Sequence, residues 1–104
     1  MKFLKHLAVV TLSLLFCFSA FADKLKVGFV YVGPVGDHGW TYMHEQGRLA
    51  VKKAFGDKVE TTFIESVKYG PEAETVIRAM AKNETDIIFA TSFGYMEPML
   101  KVAK

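Results

Sequence analysis

Two short stretches hold most of the residues able to do chemistry. Gly33-Pro34-Val35-Gly36-Asp37-His38-Gly39-Trp40 combines glycines that let a ligand approach the backbone with a carboxylate, an imidazole and the only tryptophan of the chain. Asp37 can accept from the first N–H groups of a following helix, from a ligand N–H, or from both. Trp40 can cover a sheet as core, or stack on a planar ligand for about 1–3 kcal/mol by analogy with base stacking. The spacing G-x-x-G-x-x-G matches neither the dinucleotide fingerprint nor the P-loop, and Asp37 would repel a phosphate. The second stretch, Thr91-Ser92-Phe93-Gly94-Tyr95, gathers hydroxyls, aromatic rings and a glycine. As a nucleophile Ser92 would need a base and an oxyanion site, and T-S-F-G is not the G-x-S-x-G turn. Hydrogen bonding to a ligand and plain turn formation are the readings that remain. His38, His44 and Glu45 lack metal-ligand spacing, because Arg48 stands where H-E-x-x-H needs its second histidine. No metal or cofactor is expected, and His44 and Glu45 read as solvated helix surface.

Both stretches gain meaning from the elements around them. Lys24 to Val32 is a mostly apolar, β-rich run suited to a strand buried on both faces. Gly39 to Phe55 is a predicted helix with an apolar stripe at Trp40, Met43, Gly47, Ala50, Val51, Ala54 and Phe55, ended by Gly56 in a left-handed cap. Val59 to Ile64 is a half-polar strand, as at a sheet edge. Pro71 opens a second helix to about Asn83, with Ala73, Val76, Ile77, Met80 and Ala81 inward. Asp86 to Thr91 is a short strand of the fully buried type, and another helix begins near Met96. The order β-α-β-α-β-α predicts an α/β fold with an open parallel sheet in strand order 2-1-3. Ligands of such sheets sit outside the carboxyl ends of the strands, which is where both chemical stretches fall. The loop Glu65 to Gly70 lies at the same end and is less informative.

The 104 residues begin with a predicted leader. Lys2 and Lys5 precede an apolar run from about Leu7 to Phe18, and Ala20-Phe21-Ala22 is an A-x-A cleavage site before Asp23. Residues 1–22 therefore read as a secretory signal, and 23–104 as the N-terminal, incomplete part of a lobe. Cys17 follows Phe16 inside the apolar run, unlike a lipoprotein cysteine, so the mature chain carries no cysteine for a disulfide, metal or nucleophile. Without the leader, 11 Lys and Arg balance 11 Asp and Glu. That charge gives no basic surface for nucleic acid or an anionic membrane.

Val27-Gly28-Phe29-Val30-Tyr31-Val32 running into Gly33-Pro34-Val35-Gly36-Asp37-His38-Gly39-Trp40-Thr41, with Ile87-Ile88-Phe89-Ala90-Thr91-Ser92-Phe93-Gly94-Tyr95, resembles the N-terminal lobe of the basic membrane protein family. The resemblance covers Asp23 to Lys104. It implies a type I periplasmic binding protein fold and the role of solute-binding component of an ABC importer for purine nucleosides or bases. Many members are lipoproteins, and the leader here departs from that. Familiar members carry an acidic D-D-K-S-F-N type turn whose Phe packs on the base. The matching turn is Gly36 to Thr41, which gives the stacking role to Trp40 and points to a free base such as adenine.

Together the residues and the resemblance nominate Tyr31, Gly33, Pro34, Asp37, Trp40, Thr41, Ser92, Phe93 and Gly94 as ligand-binding. Trp40 would stack, while Asp37, Ser92 and loop backbone groups read polar edges. The expected partners are a purine and, in a full-length protein, the permease subunits of the transporter. The expected location is the periplasm, with membrane contact only through the transporter or the leader. Members of the family clamp ligand between two lobes, so if the 82 mature residues are the complete product, without hinge or second lobe, they are not expected to trap one by closure. A sugar or other polar-molecule receptor of the same fold, and a secreted flavodoxin-like enzyme using Asp37, His38 and Ser92, are the alternatives.

Overall fold

The computed structural model describes residues 23–104; the leader expected over residues 1–22 lies outside the described residues. β1 (Leu25–Val30) is the axis of the fold, and its residues Val27 to Val30 are all buried. β2 (Val59–Ile64) and β3 (Ile87–Ala90) pair with it in parallel on either side, in order β2-β1-β3. The register sets Phe29 beside Phe63 and Phe89, and Val30 beside Ile64 and Ala90. Because strand side chains alternate, Val27, Phe29 and Tyr31 face one side and Val30 the other.

The Val30 side is closed by α2 (Pro71–Lys82) and α3 (Met96–Ala103). Ala73, Ile77 and Met80 of α2 pack with Val30, Val67 and Tyr95, with Ile88, Met99 and Val102 at the margin. Pro71 occupies the first turn of α2, where its missing N–H has no intrahelical partner to lose. Val76 is half-buried and Ala81 exposed, so the inward face is narrower than the apolar pattern predicts.

α1 (Trp40–Phe55) lies over the Tyr31 side, and here the expected inward stripe is corrected. Its buried residues are Thr41, Glu45 and Arg48, whereas Trp40 and Met43 are 60 % and 66 % exposed. Glu45 is thus a buried residue rather than solvated surface. The reason is a polar seam. Tyr31 Oη donates to Glu45 Oε2 at 2.9 Å, Arg48 Nε donates to the same oxygen at 2.8 Å, and Arg48 also donates to Thr61 Oγ1 at 2.8 Å. The guanidinium lies 4.7 Å over the Phe63 ring, and Tyr31 stacks on that ring at 5.7 Å. The seam draws α1 toward β2 and leaves its apolar stripe over an open groove of about 620 Å3 along β3, lined by Phe29, Met43, Gly47, Val51 and Phe89 among others.

β3 is correspondingly not a fully buried strand. Ile87 and Phe89 are exposed on it, because α1, drawn toward β2, leaves the groove over that face of β3 open. β1 and β3 are also shorter than the runs Lys24–Val32 and Asp86–Thr91, since Tyr31, Val32 and Thr91 already turn into the loops. Gly56 ends α1 at φ 50°, the positive φ its position predicts, but its ψ of −120° lies outside the left-handed helical region expected of the cap. No helix among the described residues is long and apolar enough to cross a membrane.

Candidate functional site

The carboxyl ends of β1, β2 and β3 bring three loops together. The loop after β1 starts at Tyr31, whose N–H donates to Ile64 O while its own carbonyl accepts from Val67 N–H. Gly33 N–H donates to Thr41 Oγ1 at 3.1 Å, Ser66 N–H to Gly33 O, and Val35 N–H to the Glu65 carboxylate at 2.7 Å. These bonds tie the first loop to α1 and to the loop after β2. Pro34 is exposed on the same loop, and its carbonyl accepts from Asp37 N–H.

Asp37 caps α1 from two residues upstream of Gly39, which stands at the cap position itself. Its Oδ1 accepts from Gly39 N–H at 2.8 Å and Tyr42 N–H at 2.9 Å, and its Oδ2 from Thr41 N–H at 3.2 Å. The Gly39 and Tyr42 N–H bonds hold the carboxyl below its ordinary value. The left-handed residue of this turn is His38, at φ 54°, and none of Gly33, Gly36 or Gly39 takes a positive φ. The glycine count of the turn therefore overstated its need for left-handed backbone. The carboxylate of Asp37 already fills the start of α1, and so this helix end is closed to a phosphate.

Trp40 stands at the first position of α1 with its face open. Its indole Nε1–H donates to Thr91 O at 2.8 Å, fastening the ring to the end of β3. His44, one turn on, lies 5.0 Å from the indole at 59°. Thr91 is anchored in turn, since both its N–H and its hydroxyl donate to Val30 O. Ser92 follows, and its Oγ lies 2.6 Å from the Tyr69 hydroxyl. Phe93, 84 % exposed, opens a short 3-10 turn through Gly94 to the buried Tyr95. The Tyr95 hydroxyl donates to Val67 O at 2.6 Å; burial, with Tyr69 and Glu72 nearby, pushes it up to about 12.

The structure thus brings Asp37, Trp40, Thr41, Ser92, Phe93 and Gly94 to one end of the sheet. Thr41 is buried, so it supports the Gly33 loop from beneath. The Tyr31 side chain is also buried, its hydroxyl given to Glu45; burial, with Glu45 adding to it, raises that hydroxyl well above its ordinary value. It reaches the site through α1 rather than through an exposed surface.

Tyr69 and Thr91 were not among the nominated residues. A usable signal for Tyr69 was an aromatic two residues after Val67, on a loop that a 2-1-3 sheet must set beside the other two. Chemically the site offers an exposed indole face, a hydroxyl pair and a capping carboxylate. Ser92 meets a phenol rather than an imidazole, and among the described residues no three metal-ligating side chains gather.

This geometry agrees with what the chain is similar to. A purine-binding protein of Brucella abortus is 57 % identical over 82 residues, which cover 79 % of this chain and 23 % of that protein. A putative ABC transporter glucose-binding protein of Haloferax volcanii is 37 % identical over 82 residues, covering 79 % of this chain and 20 % of its own length. The chain therefore spans between a fifth and a quarter of these relatives. A solved ABC transporter solute-binding protein from Conexibacter woesei superposes with a TM-score of 0.69 at 23 % identity, over 76 % of this chain and 25 % of that one, and so shares the fold. Residues 24–104 match the family described as ABC transporter substrate-binding protein, PnrA-like, and to that family this chain belongs.

Proposed function

We propose that these residues form one wall of the ligand site in the solute-binding component of an ABC importer, and that the ligand is a purine base such as adenine. The observation that carries the reading is Trp40. Its ring is pinned edge-on to Thr91 O, yet its face is open beside the Ser92–Gly94 turn. A pinned aromatic face stacks on a flat ligand with little loss of side-chain freedom. The capped start of α1 disfavours an anionic ligand and suits a neutral base. The name of the Brucella relative supports the same ligand class. In the complete importer the partners are the permease subunits, and the expected leader would deliver the protein outside the cytoplasmic membrane. Binding rather than catalysis fits Ser92, whose partner is the Tyr69 hydroxyl.

The sugar reading keeps a place because the Haloferax relative is named for glucose, and sugars also stack on tryptophan. Titration of the complete gene product with adenine, guanosine and glucose, read by isothermal calorimetry, separates them. Adenine is expected to bind, and Trp40→Ala to weaken it at least tenfold, about the 1.4 kcal/mol of a modest stacking contact. Glucose binding without adenine binding would overturn the purine reading.

A further inference from the structure

We infer that Tyr69 is a specificity-determining residue of this site: its hydroxyl turns Ser92 into an oriented hydrogen-bond donor, aimed at an acceptor nitrogen on the ligand's edge. The inference rests on the proposed function for its choice of ligand. Tyr69 is 54 % exposed, yet it is held from three sides. Its ring lies across Gly94, where an added Cβ would come within 2.5 Å of ring carbons, so only glycine leaves the ring in place. Its ring meets Tyr95 edge-on at 5.2 Å and 76°. Tyr95 in turn bonds Val67 O, two residues before Tyr69, which fixes the start of the loop. A half-exposed tyrosine gains little from burial, so this ordering is better explained by what its hydroxyl does.

That hydroxyl is 2.6 Å from Ser92 Oγ. A phenol is the stronger donor and an alkyl hydroxyl the stronger acceptor, so Tyr69 donates to Ser92. The Ser92 proton is then directed away from Tyr69, and the bond Ser92 receives strengthens the one it gives. Thr91, the preceding residue, accepts the Trp40 indole N–H. Consecutive residues therefore hold Trp40 and Tyr69, and we place Ser92 at the edge of a base stacked on Trp40. A donor there selects an unprotonated ring nitrogen.

The test is binding of adenine and its single-nitrogen deaza analogues to the complete gene product and to Tyr69→Phe, with a denaturant melt of each. Tyr69→Phe keeps the ring and is expected to weaken adenine about tenfold at an unchanged melting midpoint. One deaza analogue is expected to bind the unsubstituted protein about tenfold more weakly than adenine, and Tyr69→Phe equally weakly. Gly94→Ala is expected to lose affinity alone but to add nothing to Tyr69→Leu. Unchanged adenine affinity in Tyr69→Phe, or the same loss for every analogue, would overturn the inference while leaving the purine reading intact. If glucose binds and adenine does not, the purine reading falls and the inference falls with it, since glucose offers no acceptor nitrogen. Binding of neither would overturn both.

Discussion

The two faces of β1 are covered in opposite ways. On the Val30 side, α2 and the turn leading into α3 meet the sheet through Ala73, Ile77, Met80 and Tyr95, an apolar contact that excludes water. On the Tyr31 side, α1 meets it through Tyr31, Glu45, Arg48 and Thr61, a chain of directed bonds, while its apolar stripe stays over a groove. Apolar burial is non-directional and tolerates a range of helix rotations. A hydrogen-bonded ion pair does not, because its donors and acceptors must meet at set angles. The face that carries Asp37, Trp40 and Thr41 is therefore the face whose helix is oriented by bonds. The polar seam gives α1 a single rotation, and with it the position of the Trp40 ring.

The contrast can be broken first on the apolar side. Ile77→Ala, at a position 1 % exposed, is expected to lower the unfolding free energy by about 3 kcal/mol in a urea melt, with ligand affinity of the folded protein unchanged. Arg48→Ala is expected to cost about 2–3 kcal/mol in the same melt, because it strips the buried Glu45 carboxylate of its cation. The paired change Glu45→Leu with Arg48→Met sharpens the distinction. Stability is expected to return to within about 1 kcal/mol of the original, since apolar residues can replace a buried ion pair. Adenine affinity is expected to fall below that of the unsubstituted protein, since α1 has lost the bonds that fix its rotation. Affinity recovering along with stability would reduce the seam to mere packing.

The smallest effect is on pH dependence. The Arg48 guanidinium, with the Tyr31 hydroxyl, holds the Glu45 carboxyl below its ordinary value, and backbone N–H groups do the same for Asp37. Folded values below the unfolded ones mean stabilisation that is complete above the ordinary carboxyl range of about 4 and disappears as pH falls through the lower folded values. The melting midpoint should thus be flat from neutral pH down to about 5 and decline below about 4. Glu45→Gln should flatten that decline, which Ile77→Ala would leave in place.

Much of the fold was legible because local rules act without long-range information. Period-two and helical spacing, Pro71 at a helix start, Gly56 at a helix end and the alternation of strands with helices lead to a 2-1-3 parallel sheet, and the structure has it. The same topology places the two loops at one end of the sheet, since the carboxyl ends of such strands converge whatever their details. The rotation of α1 was not legible. Its apolar stripe outnumbers its buried residues, and only the meeting of Glu45 and Arg48 with Tyr31 and Thr61, from other elements, turns the polar side inward. Tyr69 escaped for the same reason, since its worth depends on Gly94 and Ser92 more than 20 residues away. Sequence alone determined which elements form and which loops meet, because those follow from nearest neighbours along the chain. Tertiary structure alone decided which face of α1 is buried and which hydroxyl orients Ser92, because a hydrogen bond needs partners placed in space within a few tenths of an ångström.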